Sequence, residues 1–419
     1  LKKNLFYSIK MSEEPNIIEL KGHKDYVNSV EFSPDGTEIV SASEDGTAVV
    51  WDVATKELVQ KLYPKTYSLP VISAQFSPDG KKVVGVGNNS DVCIWKRKSH
   101  SHFFGPATYD KKFSLRRCIL PKNIGIPERS IQHCVQFSPN GAQIVVAGTL
   151  FDSEEPFIHV LNPEEDTPDK ILDKKLEGHT GKVVYSAQFS RDGTQIVSAG
   201  GDKTVRVWSV ATGECVQTLE GHSGEVNDAQ FSSDGTQIVS ASGGRFGSSP
   251  GEIRIWSVAT GGLAKTLVVD RKEGENQVRF FSAQFNLDGT KIVSACSDNS
   301  VRVWDVNTGV CENTFNNHGG EERILIKGTP GGVMGPGGLL GDDYDDDSDG
   351  LWAPSYGTPD EVVTHPNRVL HARFSPDGTK IVSGSSDHIV RMWDYKKSIG
   401  GSSIRRKTSK RKTSRRKTS

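Results

Sequence analysis

The 419-residue sequence predicts an all-β protein: a single ring of seven four-stranded blades, closed by the chain's own N-terminal strand. Three observations predict it. A five-residue phrase, Phe followed by a tight turn, recurs seven times between residues 32 and 378. Two β-type runs follow each phrase, and the second run ends in Trp in six of the seven copies. A spare strand-like run, Asn16 to Leu20, precedes the first copy, whereas the last copy has no fourth strand after it. Self-similar units of this length stack around an axis, because one unit cannot bury its apolar faces alone; the expected architecture is a β-propeller.

Each element follows from its residues. The phrases are Phe32-Ser-Pro-Asp-Gly36, Phe76-Ser-Pro-Asp-Gly80, Phe137-Ser-Pro-Asn-Gly141, Phe189-Ser-Arg-Asp-Gly193, Phe231-Ser-Ser-Asp-Gly235, Phe285-Asn-Leu-Asp-Gly289 and Phe374-Ser-Pro-Asp-Gly378. Pro presets φ for a turn, and Asp-Gly or Asn-Gly tolerates the positive φ that follows. The next run is β-branched, as in Ile39-Val40-Ser41-Ala42-Ser43, and the second ends as in Val205-Arg-Val-Trp208. Alternating apolar residues bounded by polar turns signal strands. Runs such as Glu214 to Leu219 fill the outer slot. In the last unit that slot falls to Asn16 to Leu20, which removes the edge where the ring would open.

The tryptophans are Trp51, Trp95, Trp208, Trp256, Trp304 and Trp393, with Leu161 in the third copy, and Gly-His pairs stand at Gly22-His23, Gly178-His179 and Gly221-His222. Together these features resemble the WD-repeat family over residues 16 to 395. The resemblance implies a hydrogen-bonded brace in each blade, made of a His before the first strand, a Ser on the second, an Asp in the following turn and the Trp. The matching sets are His23, Ser41, Asp45 and Trp51; His179, Ser198, Asp202 and Trp208; and His365, Ser383, Asp387 and Trp393. The fifth copy keeps His222, Ser240 and Trp256, with a Gly/Ser-rich insertion (Gly243 to Gly251) in place of the Asp turn. The sixth keeps Ser294, Asp298 and Trp304, with Asn276 near the His position. The second and third copies have largely lost the set. Several copies of Ser, His and Asp read as structure, because catalysis needs one triad.

Two stretches depart from the repeat. Lys96 to Ser130 must supply the outer strand of the second blade and a surface loop; His100 and His102 lack the further ligands that a metal requires. Residues 316–363 form a Gly/Pro-rich and acidic insertion before the last blade, expected to be flexible. Its Asp345-x-Asp347-x-Asp349-Gly350 matches half of a calcium loop, but Tyr356 stands at the twelfth position and Pro354 opposes an exit helix. It reads instead as an acidic loop for basic partners or the chain's own tail.

That tail, residues 399–419, is expected to be disordered. Removing its nine basic residues turns the formal net charge from −1 to −10, so an acidic body carries a basic tail. Such a cluster suits nuclear import or RNA and other polyanions. Thr408, Ser409, Ser414, Thr418 and Ser419 each follow an Arg by three positions, the spacing basophilic kinases prefer. No run approaches the roughly 20 apolar residues of a membrane span. The six cysteines include no C-x-x-C pair, which points to a reducing, nuclear or cytoplasmic setting rather than secretion. Residues 1–15 are expected as an extension, with Met11 a candidate start, and the propeller as residues 16–398.

The resemblance implies a monomeric, non-catalytic scaffold within a larger complex, binding proteins or peptides at the mouth of its channel. The residues four and six positions before each Phe turn face that mouth: Asn28, Ile72, His133, Tyr185, Asn227, Phe281 and Leu370, with Tyr26, Glu225, Arg279 and Arg368 beside them, and Glu44 joining from a turn. Aromatics, arginines and carboxylates are what binding hot spots favour. The alternative is an RNA-binding or ribosome-assembly factor that works through the tail. No cofactor is implied. In the same family, cullin-ligase receptors often carry Trp-Asp-x-Arg; Trp51-Asp-Val-Ala, Trp304-Asp-Val-Asn and Trp393-Asp-Tyr-Lys lack that Arg.

Overall fold

A computed structural model of the chain describes residues 17–64, 69–88, 91–100, 108–119, 130–165, 167–243, 249–269, 277–316, 322–325, 362–365 and 367–395. Seven four-stranded antiparallel sheets form the blades of the ring. Their innermost strands are Val27–Phe32, Val71–Phe76, Ser130–Phe137, Val184–Phe189, Val226–Phe231, Phe280–Phe285 and Val369–Phe374. Six outer strands follow in sequence: Leu58–Leu62, Thr108–Ile119, Leu172–Lys175, Cys215–Leu219, Leu263–Leu267 and Cys311–Phe315. The seventh comes from the other end of the chain. Ile17–Lys21 pairs antiparallel with Ile389–Asp394, placing Leu20 opposite Val390. Leu20 is buried there, and Glu19 pairs with Arg391 at 3.0 Å. The ring is therefore closed as the sequence predicts.

The core is distributed. Seven apolar clusters lie one at each blade–blade interface. One cluster joins the last blade to the first, packing Val382, Val390 and Met392 against Val27, Val30 and Trp51. The Trp side chains, and Leu161 in the third blade, fill these seams and are almost fully buried. Each unit thus covers its neighbour, which is why the repeat is stable only as a ring.

The turns behave as their residues demand. Gly36, Gly80, Gly141, Gly193, Gly235, Gly289 and Gly378 all sit at φ between 64° and 72°, the left-handed region. In the first turn, Ser33 Oγ donates to Asp35 Oδ1 at 2.6 Å, and the Thr37 amide donates to the same oxygen at 3.0 Å.

The ends of the long insertion, Glu322–Leu325 and Val362–His365, pair as a separate two-stranded sheet. The acidic run, residues 1–16, His102, Asn276 and the tail with Thr408, Ser409, Ser414, Thr418 and Ser419 lie outside the described residues, as do the side chains of His100 and His365. Among the described residues, no helix is long and apolar enough to cross a membrane.

Candidate functional site

The site grows out of one backbone irregularity repeated in every blade. Where each innermost strand begins, its register against the second strand slips by one residue. The skipped residues are Asn28, Ile72, His133, Tyr185, Asn227, Phe281 and Leu370. A β-bulge leaves its extra residue unpaired and re-aims its side chain. All seven line one cavity of about 1210 Å3 at the centre of the ring, and Tyr26, Glu44, Glu225, Arg279 and Arg368 line it too. The structure thus brings every residue expected at the mouth into one concave surface.

These side chains are ordered by their neighbours. Tyr185 donates its hydroxyl to Glu225 Oε2 at 2.8 Å, and its ring lies 5.7 Å from that of His133. Asn28 donates to Glu44 Oε1 at 2.9 Å and to the Val71 carbonyl at 3.2 Å. Asn227 donates to the Phe280 carbonyl at 2.8 Å. The Arg279 guanidinium stands 5.4 Å over the Phe281 ring, within cation–π range. Burial pushes the Glu44 carboxyl upward, with the Asn28 bond opposing it, and burial pushes the Arg368 guanidinium downward. Charged groups held partly dry in this way gain more from a partner's complementary charge than solvated ones do.

Below the mouth lie two further rings that sequence reasoning did not separate. The middle ring ties each blade to the next. Ser29 Oγ accepts the Ala74 amide (3.2 Å), Ser73 that of Val135 (3.4 Å), Cys134 Sγ that of Ala187 (3.1 Å) and Ser186 that of Ala229 (3.1 Å). Asp228 accepts from Ala283 (3.3 Å) and Ser282 from Ala372 (3.1 Å). His371 Nδ1 closes the ring at Val30, 3.2 Å from its nitrogen and 2.9 Å from its oxygen. Burial first, and then Arg373, hold His371 well below its ordinary pKa, so the ring is neutral. The deeper layer is Glu31, Gln75, Gln136, Gln188, Gln230, Gln284 and Arg373. Gln75, Gln136 and Gln284 accept the amides of Phe137, Phe189 and Phe374 across the seams. Burial pushes Glu31 up to about 7, against the pull of Arg373 and a bond from Gln75. The signal for this layer was in the sequence: five of the seven repeat Phe residues are preceded by Gln.

The braces hold the second and third strands under this surface. In the fourth blade Trp208 Nε1 donates to Ser198 Oγ (2.8 Å), Ser198 contacts His179 Nε2 (2.7 Å), and His179 Nδ1 lies 2.9 Å from Asp202. In the first blade Trp51, Ser41, His23 and Asp45 repeat the chain at 2.8, 2.7 and 3.0 Å. Burial raises the carboxyls of Asp45 and Asp202, but their histidine and backbone bonds outweigh it and leave both far below the usual range. The fifth blade is complete as well, through a residue the sequence did not reveal. Glu252, beyond the insertion, takes the turn Asp's place, 3.1 Å from His222 Nδ1. It is held at about 2: burial opposes the shift, and His222 and the Ser223 amide outweigh it. The last two blades keep the Trp304–Ser294 and Trp393–Ser383 bonds at 2.9 and 2.8 Å. There Asp298 and Asp387 pair with Arg302 and Arg391 on the third strand.

The WD40 family model, described as WD domain, G-beta repeat, matches residues 15–52, 171–209, 213–257, 272–305 and 359–394. The chain is 30% identical to periodic tryptophan protein 2 of Saccharomyces cerevisiae over 70% of its length, and 26% identical to the U5 small nuclear ribonucleoprotein 40 kDa protein of Dictyostelium discoideum over 53%. It spans only 30% and 46% of those two relatives. It is 25% identical to a guanine nucleotide-binding protein subunit beta of Arabidopsis thaliana over 90% of its own length and 82% of the relative's. Repeat, brace, ring closure and these similarities agree: the chain belongs to the WD-repeat family of β-propellers.

Proposed function

We propose that this propeller is a non-catalytic protein-interaction scaffold whose partner, a protein or peptide, docks on the channel mouth. One observation carries the reading. Seven bulges turn seven side chains into one cavity, and the aromatics and charges there are already held in place by Tyr185–Glu225, Asn28–Glu44 and Arg279–Phe281. Pre-ordered aromatic and charged groups bind at a lower entropic cost than mobile ones. Two relatives are named as parts of assemblies, a ribonucleoprotein and a G-protein subunit, which supports the role of a subunit in a larger complex. The basic tail and the small nuclear ribonucleoprotein relative favour the nucleus as its site of work.

The test is affinity purification of the full chain beside the double variant Tyr185→Ala plus Phe281→Ala, with folding checked by circular dichroism. The reading expects partners to be lost from a folded variant. Retention of the same partners at the same yield overturns it.

A further inference from the structure

The brace described above has an extension on the third strand. Two residues before the Trp, Arg206, Arg254, Arg302 and Arg391 lie against the turn carboxylates Asp202, Glu252, Asp298 and Asp387. The second blade has neither half of this system. Gly85 replaces its Ser, and a Cβ built there would stand 2.9 Å from Trp95 Cζ3, so Trp95 packs over bare backbone. At the Arg position it carries Cys93.

The residue directly opposite Cys93 on the outer strand is Cys118. Directly opposed residues of an antiparallel pair have Cα atoms about 4.5 or 5.5 Å apart, and both values fall within the range of roughly 4.4 to 6.8 Å that a disulfide spans. The two Sγ atoms are 2.6 Å apart. Cys93 is 1% exposed within the seam between the first two blades, while Cys118 packs against that seam and is partly exposed. A reagent therefore meets Cys118 first, and Cys93 waits behind it. Two of the other cysteines are removed from such chemistry: burial pushes Cys134 up to about 12 and Cys296 up to about 11.

We propose that Cys93 and Cys118 are a reversible disulfide site that staples the outer strand Thr108–Ile119 to the one blade where a thiol pair stands in place of the polar brace. The oxidant is a low-molecular-weight disulfide of the glutathione class. The Cys118 thiolate attacks one of its sulfurs, forms a mixed disulfide and releases one thiol. The Cys93 thiolate then attacks Cys118 Sγ, forms the Cys93–Cys118 bond and releases the second thiol. The protein loses two hydrogens, and the small disulfide is reduced to two thiols.

The test incubates the full, reduced chain with glutathione disulfide, then alkylates and maps the peptides. The expected product is two hydrogens lighter and contains a Cys93–Cys118 linked peptide. Cys93→Ser should stop at a Cys118 adduct one glutathione heavier, and Cys118→Ala should yield no linked peptide at all. In the oxidised wild type, amide exchange in the outer strand of the second blade should slow by roughly tenfold or more, with the outer strand of the fifth blade unchanged. A wild type that stops at the mixed disulfide, links another pair, or shows unchanged exchange after linkage overturns the proposal.

Discussion

Ser198→Ala is the sharpest perturbation of the brace. Ser198 is fully buried, and its oxygen serves two partners. It accepts the Trp208 indole N–H at 2.8 Å and lies 2.7 Å from His179 Nε2. His179 Nδ1 faces the Asp202 carboxylate, so Nδ1 carries the proton and Nε2 must accept the serine O–H. Alanine leaves a donor and an acceptor unpaired at once. Trp208 is fully buried and the His179 side chain is 3% exposed, so water cannot replace the hydroxyl without opening the blade. Each orphaned group costs about 1–3 kcal/mol, giving a loss of about 2–6 kcal/mol. Urea unfolding followed by Trp fluorescence measures the total, and hydrogen exchange locates it in the fourth blade. Adding Trp208→Phe should cost much less than its own single effect, because the indole donor is already orphaned. A loss below about 0.5 kcal/mol, or strictly additive costs, refutes the chain of bonds.

Five further outcomes are expected. Asp45, Asp202 and Glu252 have folded pKa values below their unfolded ones, so their stabilisation is complete above about pH 4.3 and declines as pH falls further. Burial also lowers the His222 pKa, so the fifth blade should begin to weaken earlier, from about pH 6.5 downward; blade-resolved hydrogen exchange against pH reads both. Glu31 has a raised folded pKa, so its ionisation opposes folding as pH climbs through about 7, and Glu31→Gln should stabilise the chain by on the order of 1 kcal/mol at pH 8 and by little at pH 5 in urea titrations. Gly85→Ser restores the family's serine yet should destabilise by about 1–3 kcal/mol, because its Cβ meets Trp95 at 2.9 Å; a raised urea midpoint contradicts this. Deleting residues 399–419 should abolish low-salt RNA binding if the basic tail is an RNA contact, and an unchanged filter-binding affinity excludes that role.

The ring was legible because its signals repeat. The Phe turns, the Trp seams and the missing fourth strand after Trp393 each follow from local chemistry that one sequence displays many times. Positions near the mouth were legible for the same reason, as fixed offsets from each Phe. What was hidden is what the repeat does not carry. Glu252 lies 30 residues from His222, across an insertion, and only folding brings the two to 3.1 Å. The bulges that aim Asn28 and Tyr185 leave no mark in composition. Asp228, Cys134 and His371 break the serine pattern of the middle ring, yet Asp228 and Cys134 still accept a neighbouring blade's amide and His371 Nδ1 meets the Val30 backbone, so a residue-by-residue match passes over the shared role. Nothing in the sequence pairs Cys93 with Cys118; the cross-strand register alone does so.

The channel mouth is the centre of this account, and position-specific photo-cross-linking tests it most directly. A photoreactive phenylalanine analogue at Phe281, on the mouth, is compared with one at Val310, which is 59% exposed on the connection to the sixth outer strand. The account predicts partner adducts from position 281 and none from position 310. Adducts from position 310 with none from position 281 would contradict it.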